Sequence, residues 1–211
     1  MFDEIKNIVF DLGGVLIDLD KQRCIDAFNR LGFPQIETLI DFYYPAEIFN
    51  RLERGEVDAH TVCEYIRTEA RKPEITDAQI HHAYQMFLAE LPAAKLELIM
   101  QLRTAGKHTY LLSNTNEMVW DDVEAKFAAA NGHPIGDYFD RIYLSYEMGD
   151  LKPSPTIFQR VIADSGIVPE QTLFIDDGEQ NVIAAHALGF NVYMPQPRED
   201  FSHLFSDLLN K

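Results

Sequence analysis

Five short apolar, β-branched or aromatic runs limit most tightly what this chain can fold into: Asn7–Phe10, Thr109–Leu112, Arg141–Leu144, Leu173–Ile175 and Asn191–Met194. Strands buried on both faces read as continuous apolar runs rather than as an alternating pattern, and each run is short enough to be one. Helical patterns at about 117–130, 154–166 and 179–188 separate the later runs. Strands alternating with helices predict an α/β chain, with an open, doubly wound parallel sheet covered by helices on both faces. With 211 residues, of which 46% are apolar and 25% charged, the chain is long enough to bury such a core.

The alternation breaks once. From about Asp18 to Leu91 the patterning is helical only, marked by Phe28 and Leu31, by Ile48 and Leu52, by Val62, Tyr65 and Ile66, and by Tyr84, Phe87 and Leu88. Gly32-Phe33-Pro34, Gly55 and Lys72-Pro73 read as turns between these stretches. Roughly seventy helical residues are too many for a simple crossover between neighbouring strands. The expected organisation is a core built from 1–17 and 92–211, with a helical lobe, 18–91, inserted after the first strand. Phe42, Tyr43, Tyr44 and Phe49 are expected to build the lobe's own core, with one or two of them placed to face substrate. The lobe leaves from the carboxyl end of a strand, where loops line the ligand crevice of such sheets.

Charge narrows the partners. Eighteen Lys and Arg against thirty-four Asp and Glu give a net charge of −16. A body this acidic repels phosphate backbones and anionic lipid, which argues against nucleic acid and membrane as partners. It also means that a small anionic substrate needs local positive help from a metal or a lysine. The two cysteines, Cys24 and Cys63, form no CxxC pair and read as buried free thiols. With no signal-peptide pattern and no apolar run of membrane-spanning length, the expected location is cytoplasmic.

The carboxyl ends of parallel strands collect on one edge, so the residue after each run carries the information. After the first comes Asp11-Leu12-Gly13-Gly14, a carboxylate followed by a flexible turn whose N–H groups can cradle an anion. After the second comes Ser113-Asn114-Thr115-Asn116, short polar residues where a helix begins, suited to capping or to holding a phosphate. After the third lies Lys152-Pro153, with the proline setting the start of the next helix. After the fourth comes Asp176-Asp177. Two adjacent carboxylates at a buried strand end repel each other, and a hard divalent cation with oxygen ligands resolves the conflict.

Aspartate, hydroxyl, lysine and paired aspartates in this order resemble the haloacid dehalogenase-like hydrolase superfamily, and the resemblance covers nearly the whole chain. It implies a Rossmann-like core with the insertion as an α-helical cap. The stretch Phe10-Asp11-Leu12-Gly13-Gly14-Val15 is most similar to the branch of glucose-1-phosphate phosphatase-like proteins, with the phosphatase domain of soluble epoxide hydrolases also related. The implied activity is a Mg²⁺-dependent phosphatase acting on a small phosphorylated metabolite, sugar phosphates among them. Asp11 would attack phosphorus and form an aspartyl-phosphate. Ser113, with Asn114 and the Leu12 and Gly13 amides, would hold phosphate oxygens, and Lys152 would offset charge on both phosphate and nucleophile. Mg²⁺ would be held by Asp11, the Gly13 carbonyl and Asp177, while Asp176 would act through water or orient Lys152.

One position departs from the family pattern. Most of its phosphatases carry a second Asp two residues after the nucleophile, as acid for the leaving group and base for water; here that residue is Gly13. Asp18, Asp20, Glu47 and His60 are the substitutes the sequence offers. Two other readings stand beside the phosphatase. A haloacid dehalogenase would use the same Asp11 against carbon without metal, which the Asp176-Asp177 pair disfavours. A non-catalytic phosphate-binding protein would explain Gly13, but not the retention of Asp11, Ser113, Lys152 and Asp177. His81, His82, His108 and His203 read as ordinary surface or packing residues, His186 as packing on the sheet, and Trp120 as core packing near the Ser113 loop.

Overall fold

The computed structural model describes residues 4–40 and 46–209. Five strands form one sheet: β1 (Asn7–Phe10), β2 (His108–Ser113), β3 (Arg141–Leu144), β4 (Thr172–Ile175) and β5 (Asn191–Tyr193). Their order is β3-β2-β1-β4-β5, and every neighbouring pair is parallel. Each expected run is a strand, with ends differing by a residue. The chain steps outward from β1 to β2 and β3, then returns across β1 to β4 and β5. That reversal opens the crevice in which such sheets bind ligands, at their carboxyl edge. Register places the site there, because Phe10 lies level with Leu111 on one side and Ile175 on the other.

Between β1 and β2 the described chain is helical: α1 (Lys21–Leu31), α2 (Glu47–Glu53), α3 (Ala59–Ala70) and α4 (Asp77–Gln85). Local signals set their ends. Asp20 and Asp58 accept N-terminal amides of α1 and α3, and Thr76 with Gln79 forms a capping box on α4. Phe28, Phe33, Phe49, Leu52, Val62, Ile66 and Ile80 bury one another in a cluster of their own. Phe49 belongs to it as expected; Phe42, Tyr43 and Tyr44 lie outside the described residues. The chain leaves and returns through adjacent antiparallel segments. Leu19 bridges Leu88, the Asp18 amide donates to the Glu90 carbonyl at 2.7 Å, and the Ala89 amide donates to the Asp18 carbonyl at 2.8 Å.

The remaining helices are α5 (Ala93–Thr104), α6 (Glu117–Asn131), α7 (Ser145–Met148), α8 (Pro155–Ser165), α9 (Glu179–Ala187) and α10 (Ser206–Leu209). One face of the sheet (Ile8, Phe10, Leu111, Leu173, Ile175) packs against residues of α5 and α6; the other (Val9, Tyr110, Leu112, Phe174) packs against α8 and α9. No clear helical period marks α5 in the sequence. Its exposed face carries Ala93 and Ala94 beside Glu97, Gln101 and Thr104, and its buried face includes Lys95 among Leu96, Leu98, Ile99 and Leu102, so the apolar–polar contrast that marks a period is blurred. His186 corrects an expectation: it is exposed on α9, where Ala185 makes the buried contact instead. Trp120 packs partly buried on the core and reaches Glu124, as expected. Cys24 and Cys63 are free and buried. Among the described residues no helix is long and apolar enough to cross a membrane.

Candidate active site

Lys152 ties the strand ends together. Its Nζ donates to Asp11 Oδ1 at 2.6 Å, to Asp176 Oδ2 at 2.6 Å and to the Leu112 carbonyl at 2.9 Å. The ammonium thus reaches the ends of β1, β2 and β4 at once, with 1% of its side chain exposed. Its backbone is fixed as firmly. The Lys152 amide donates to Asn114 Oδ1, and Asn114 Nδ2 donates to the Lys152 carbonyl, each at 2.9 Å. This reciprocal pair fixes the Asn114 side chain against the Lys152 backbone. Ser145, just beyond β3, braces the same loop through the Thr115 amide and carbonyl. Asn116, and not Ser113, is the N-cap of α6, leaving the buried Ser113 hydroxyl on the cavity wall.

Asp176 is fully engaged. Besides Lys152, its Oδ1 accepts from the Gly178 amide at 2.8 Å and from Asn181 Nδ2 at 2.9 Å. Its Oδ2 accepts from Lys152 and its Oδ1 from the β4–α9 turn, so the carboxylate is held in place from both sides. Asp177 is half-buried and lines the cavity with Asp11 and Gly13. Gly14 makes this closeness possible. At φ +76 it adopts a backbone that side chains rarely take, and a Cβ there would overlap Asp177 Oδ2.

Carboxylate oxygens of Asp11, Asp176 and Asp177 all lie within 4.8 Å of one another. Burial raises the Asp11 carboxyl well above the usual range; Lys152 opposes this, while Asp176 and Asp177 add to it. For Lys152, burial disfavours the ammonium, but attraction to Asp11 and Asp176 more than offsets that and holds its pKa above the ordinary value. One ammonium among three carboxylates leaves a concentrated negative charge. An all-oxygen donor set of that sign fits a hard divalent cation.

The cavity over this edge has a volume of about 940 Å³. Its floor is Asp11, Leu12, Gly13, Ser113, Asn114, Lys152 and Asp177, so the expected site residues converge on one space. Its roof comes from α2 and α4, with Phe49, Asn50, Glu53, Arg54 and Tyr84. Phe49 and Tyr84 stack with centroids 5.4 Å apart. None of the four substitute acids suggested by the sequence lines this cavity. Asp18 lies near Lys95 and Arg198, at 3.8 and 3.5 Å. Asp20 caps α1, Glu47 reaches Arg54 at 3.5 Å, and His60 contacts Asp77 at 3.1 Å. Glu53, on the wall formed by α2, is a cavity carboxylate that sequence reasoning missed. A signal was present, since a carboxylate in the last turn of a helix opposes the helix dipole.

Fold and edge together define an α/β protein that carries a carboxylate at the end of its central strand, backed by a buried lysine and an acidic pair. Comparison with known proteins agrees. The model of the haloacid dehalogenase-like hydrolases matches residues 5–189, and the chain belongs to that family. It is 37% identical over 206 residues to a D-ribitol-5-phosphate phosphatase of Bacteroides thetaiotaomicron, covering 98% of this chain and 99% of that one. A haloacid dehalogenase family enzyme from Bacteroides thetaiotaomicron, solved with magnesium and inorganic phosphate, superposes with a TM-score of 0.89 at 42% identity, covering 95% of this chain and 99% of that one. A predicted hydrolase of the same family from Porphyromonas gingivalis has a TM-score of 0.89 at 39% identity, with 99% of each chain covered.

Proposed function

We propose that this chain is a Mg²⁺-dependent phosphatase that hydrolyses a small phosphorylated metabolite of the polyol or sugar phosphate class through an aspartyl-phosphate on Asp11. The observation that carries the reading is the Lys152 bridge between Asp11 and Asp176, set beside Asp177 and Ser113 in one cavity. The similarity to a D-ribitol-5-phosphate phosphatase supports the substrate class.

In this reading Asp11, the Gly13 carbonyl and Asp177 hold Mg²⁺, which supplies positive charge to the phosphate and the nucleophile. Ser113 and the Leu12, Gly13 and Asn114 amides hold phosphate oxygens. Lys152 neutralises charge on the phosphoryl group while keeping Asp11 aimed at phosphorus. Phosphoryl transfer depends mainly on positioning and charge neutralisation, and these groups supply both in a chain of net charge −16. The helical segment, 18–91, acts as a cap over the core, 1–17 and 92–211, and contributes the substrate-facing residues Asn50, Glu53 and Arg54. A dehalogenase would gain nothing from the crowded Asp176-Asp177 pair.

Phosphate release from a panel of polyol, sugar and nucleotide phosphates tests the reading. Release is expected with Mg²⁺, strongest on polyol or sugar phosphates, and lost with chelator; undiminished release in chelator would overturn it. Gly14→Ala tests the metal assignment. A left-handed backbone in a non-glycine residue costs roughly 1–2 kcal/mol, and here the new Cβ also displaces Asp177. Gly132→Ala is the control, with a similar φ of +75 and nothing within 4 Å of its Cβ. Calorimetric titration should show weakened Mg²⁺ binding in Gly14→Ala alone.

A further inference from the structure

Hydrolysis of an alkyl phosphate needs a proton for the departing oxygen, then a base for the attacking water. Gly13 stands where most of the family's phosphatases keep that group and has no side chain to supply it. The proton must come from elsewhere in the cavity. At the sheet edge, Asp11, Asp176 and Asp177 are committed to the nucleophile, the lysine and the cation; of the other carboxylates lining the cavity, Asp150 accepts from the Leu151 amide at 2.9 Å and the Ser154 hydroxyl at 3.0 Å, and Glu179 stands exposed in the first turn of α9. On the roof, Glu53 offers a carboxyl.

The local structure brings Glu53 there. It occupies the last turn of α2, and the chain then turns at Gly55, with φ +66. A Cβ on Gly55 would overlap the Tyr146 carbonyl of α7, so this glycine lets the end of α2 press against the segment leading to Lys152. Glu53 consequently lies half-buried on the cavity wall, within electrostatic reach of Lys152.

We propose that Glu53 is the general acid and base of this enzyme, reaching from the helical segment to do what the residue at position 13 cannot. The proposal rests on the phosphatase reading. As the Asp11 oxygen–phosphorus bond forms and the ester bond breaks, the Glu53 proton passes to the leaving alkoxide, which departs as an alcohol. The Glu53 carboxylate then takes a proton from water as the water oxygen bonds to phosphorus. The Asp11–phosphorus bond breaks, inorganic phosphate leaves, and Glu53 is protonated again.

The electrostatics of Glu53 suit both halves. Burial pushes its carboxyl up to about 7, while Lys152 and Arg54 pull in the opposite direction. The titratable groups facing it are Lys152 ahead of α8, Arg54 at the end of its own helix, and the Tyr84 phenol of α4. A carboxyl poised near neutrality can both give and take a proton.

The test is Glu53→Gln, compared with wild type on two substrates: a pentitol 5-phosphate, whose alkoxide needs a proton, and p-nitrophenyl phosphate, whose phenolate does not. On the pentitol phosphate, kcat should fall by about 10²–10⁴-fold with little change in KM. With p-nitrophenyl phosphate, a burst of nitrophenol equal to the enzyme should persist at close to the wild-type rate, followed by slow turnover. The decline in wild-type kcat/KM as pH rises past about 7 should disappear in Glu53→Gln and persist in Glu53→Asp at a lower rate. Retention of kcat on the pentitol phosphate within about threefold, or equal loss of burst and pentitol turnover, would overturn the proposal. A wild-type enzyme that releases phosphate from neither substrate would instead overturn the phosphatase reading, before any variant is made.

Discussion

Asp11→Asn is expected to reduce phosphate release by about 10⁴–10⁶-fold, the scale on which removing a hydrolytic nucleophile acts. The amide is nearly isosteric and still offers Lys152 an oxygen, so the fold should survive; circular dichroism and a melting curve check this. What is lost is chemical. A carboxamide is a poor nucleophile and a weak cation ligand, and the proposed reading gives Asp11 both roles at the end of β1. Substrate affinity should change far less than turnover, because Ser113, Lys152 and the backbone amides remain to hold phosphate. A variant with more than about a tenth of wild-type kcat would remove Asp11 from the chemistry.

Lys152→Met is expected to damage both stability and turnover. The side chain is similar in length, but the ammonium that binds Asp11, Asp176 and the Leu112 carbonyl is gone. Removing one partner of a buried ion pair typically costs about 3–5 kcal/mol, because charge is left behind without compensation. In a chain of this size that corresponds to a melting temperature lower by roughly 10 °C. Added Mg²⁺ should recover part of the loss, since a cation among Asp11, Asp176 and Asp177 replaces some of the missing charge. Turnover should fall by about 10²–10³-fold even at saturating Mg²⁺, the effect of removing one preorganised charge from the transition state. Lys152→Arg should not rescue it: a planar fork cannot meet three acceptors arranged for a compact ammonium.

The core of this molecule is legible in its sequence because buried parallel strands produce unbroken apolar runs, and all five were visible. Reading the residues after each run located Asp11, Ser113 and Asp176-Asp177, since parallel strands deliver those positions to one edge; Lys152 lies farther on, beyond α7, in the stretch that follows β3. What the sequence withholds depends on three-dimensional approach. The commitment of the Asn114 side chain to Lys152 is a contact across 38 positions that no local pattern signals. Helix α5 mixes a buried Lys95 with exposed Ala93 and Ala94, which blurs its period. Glu53 had a local signal, its unfavourable place at a helix end, but its significance depends on the docking of α2 against α7 through Gly55. His186 shows the converse: its place on a sheet-covering helix suggested burial, while Ala185 takes the contact.

The most direct measurement is chemical trapping of the phosphoenzyme. Wild-type protein is mixed with a pentitol 5-phosphate and Mg²⁺, quenched in acid within milliseconds, reduced with borohydride and digested for mass spectrometry. The expected result is homoserine at position 11, the reduction product of an aspartyl-phosphate, dependent on both substrate and Mg²⁺ and absent from Asp11→Asn. Reduction at another carboxylate, or active turnover with no modification at Asp11 at any quench time, would contradict attack by Asp11 on phosphorus.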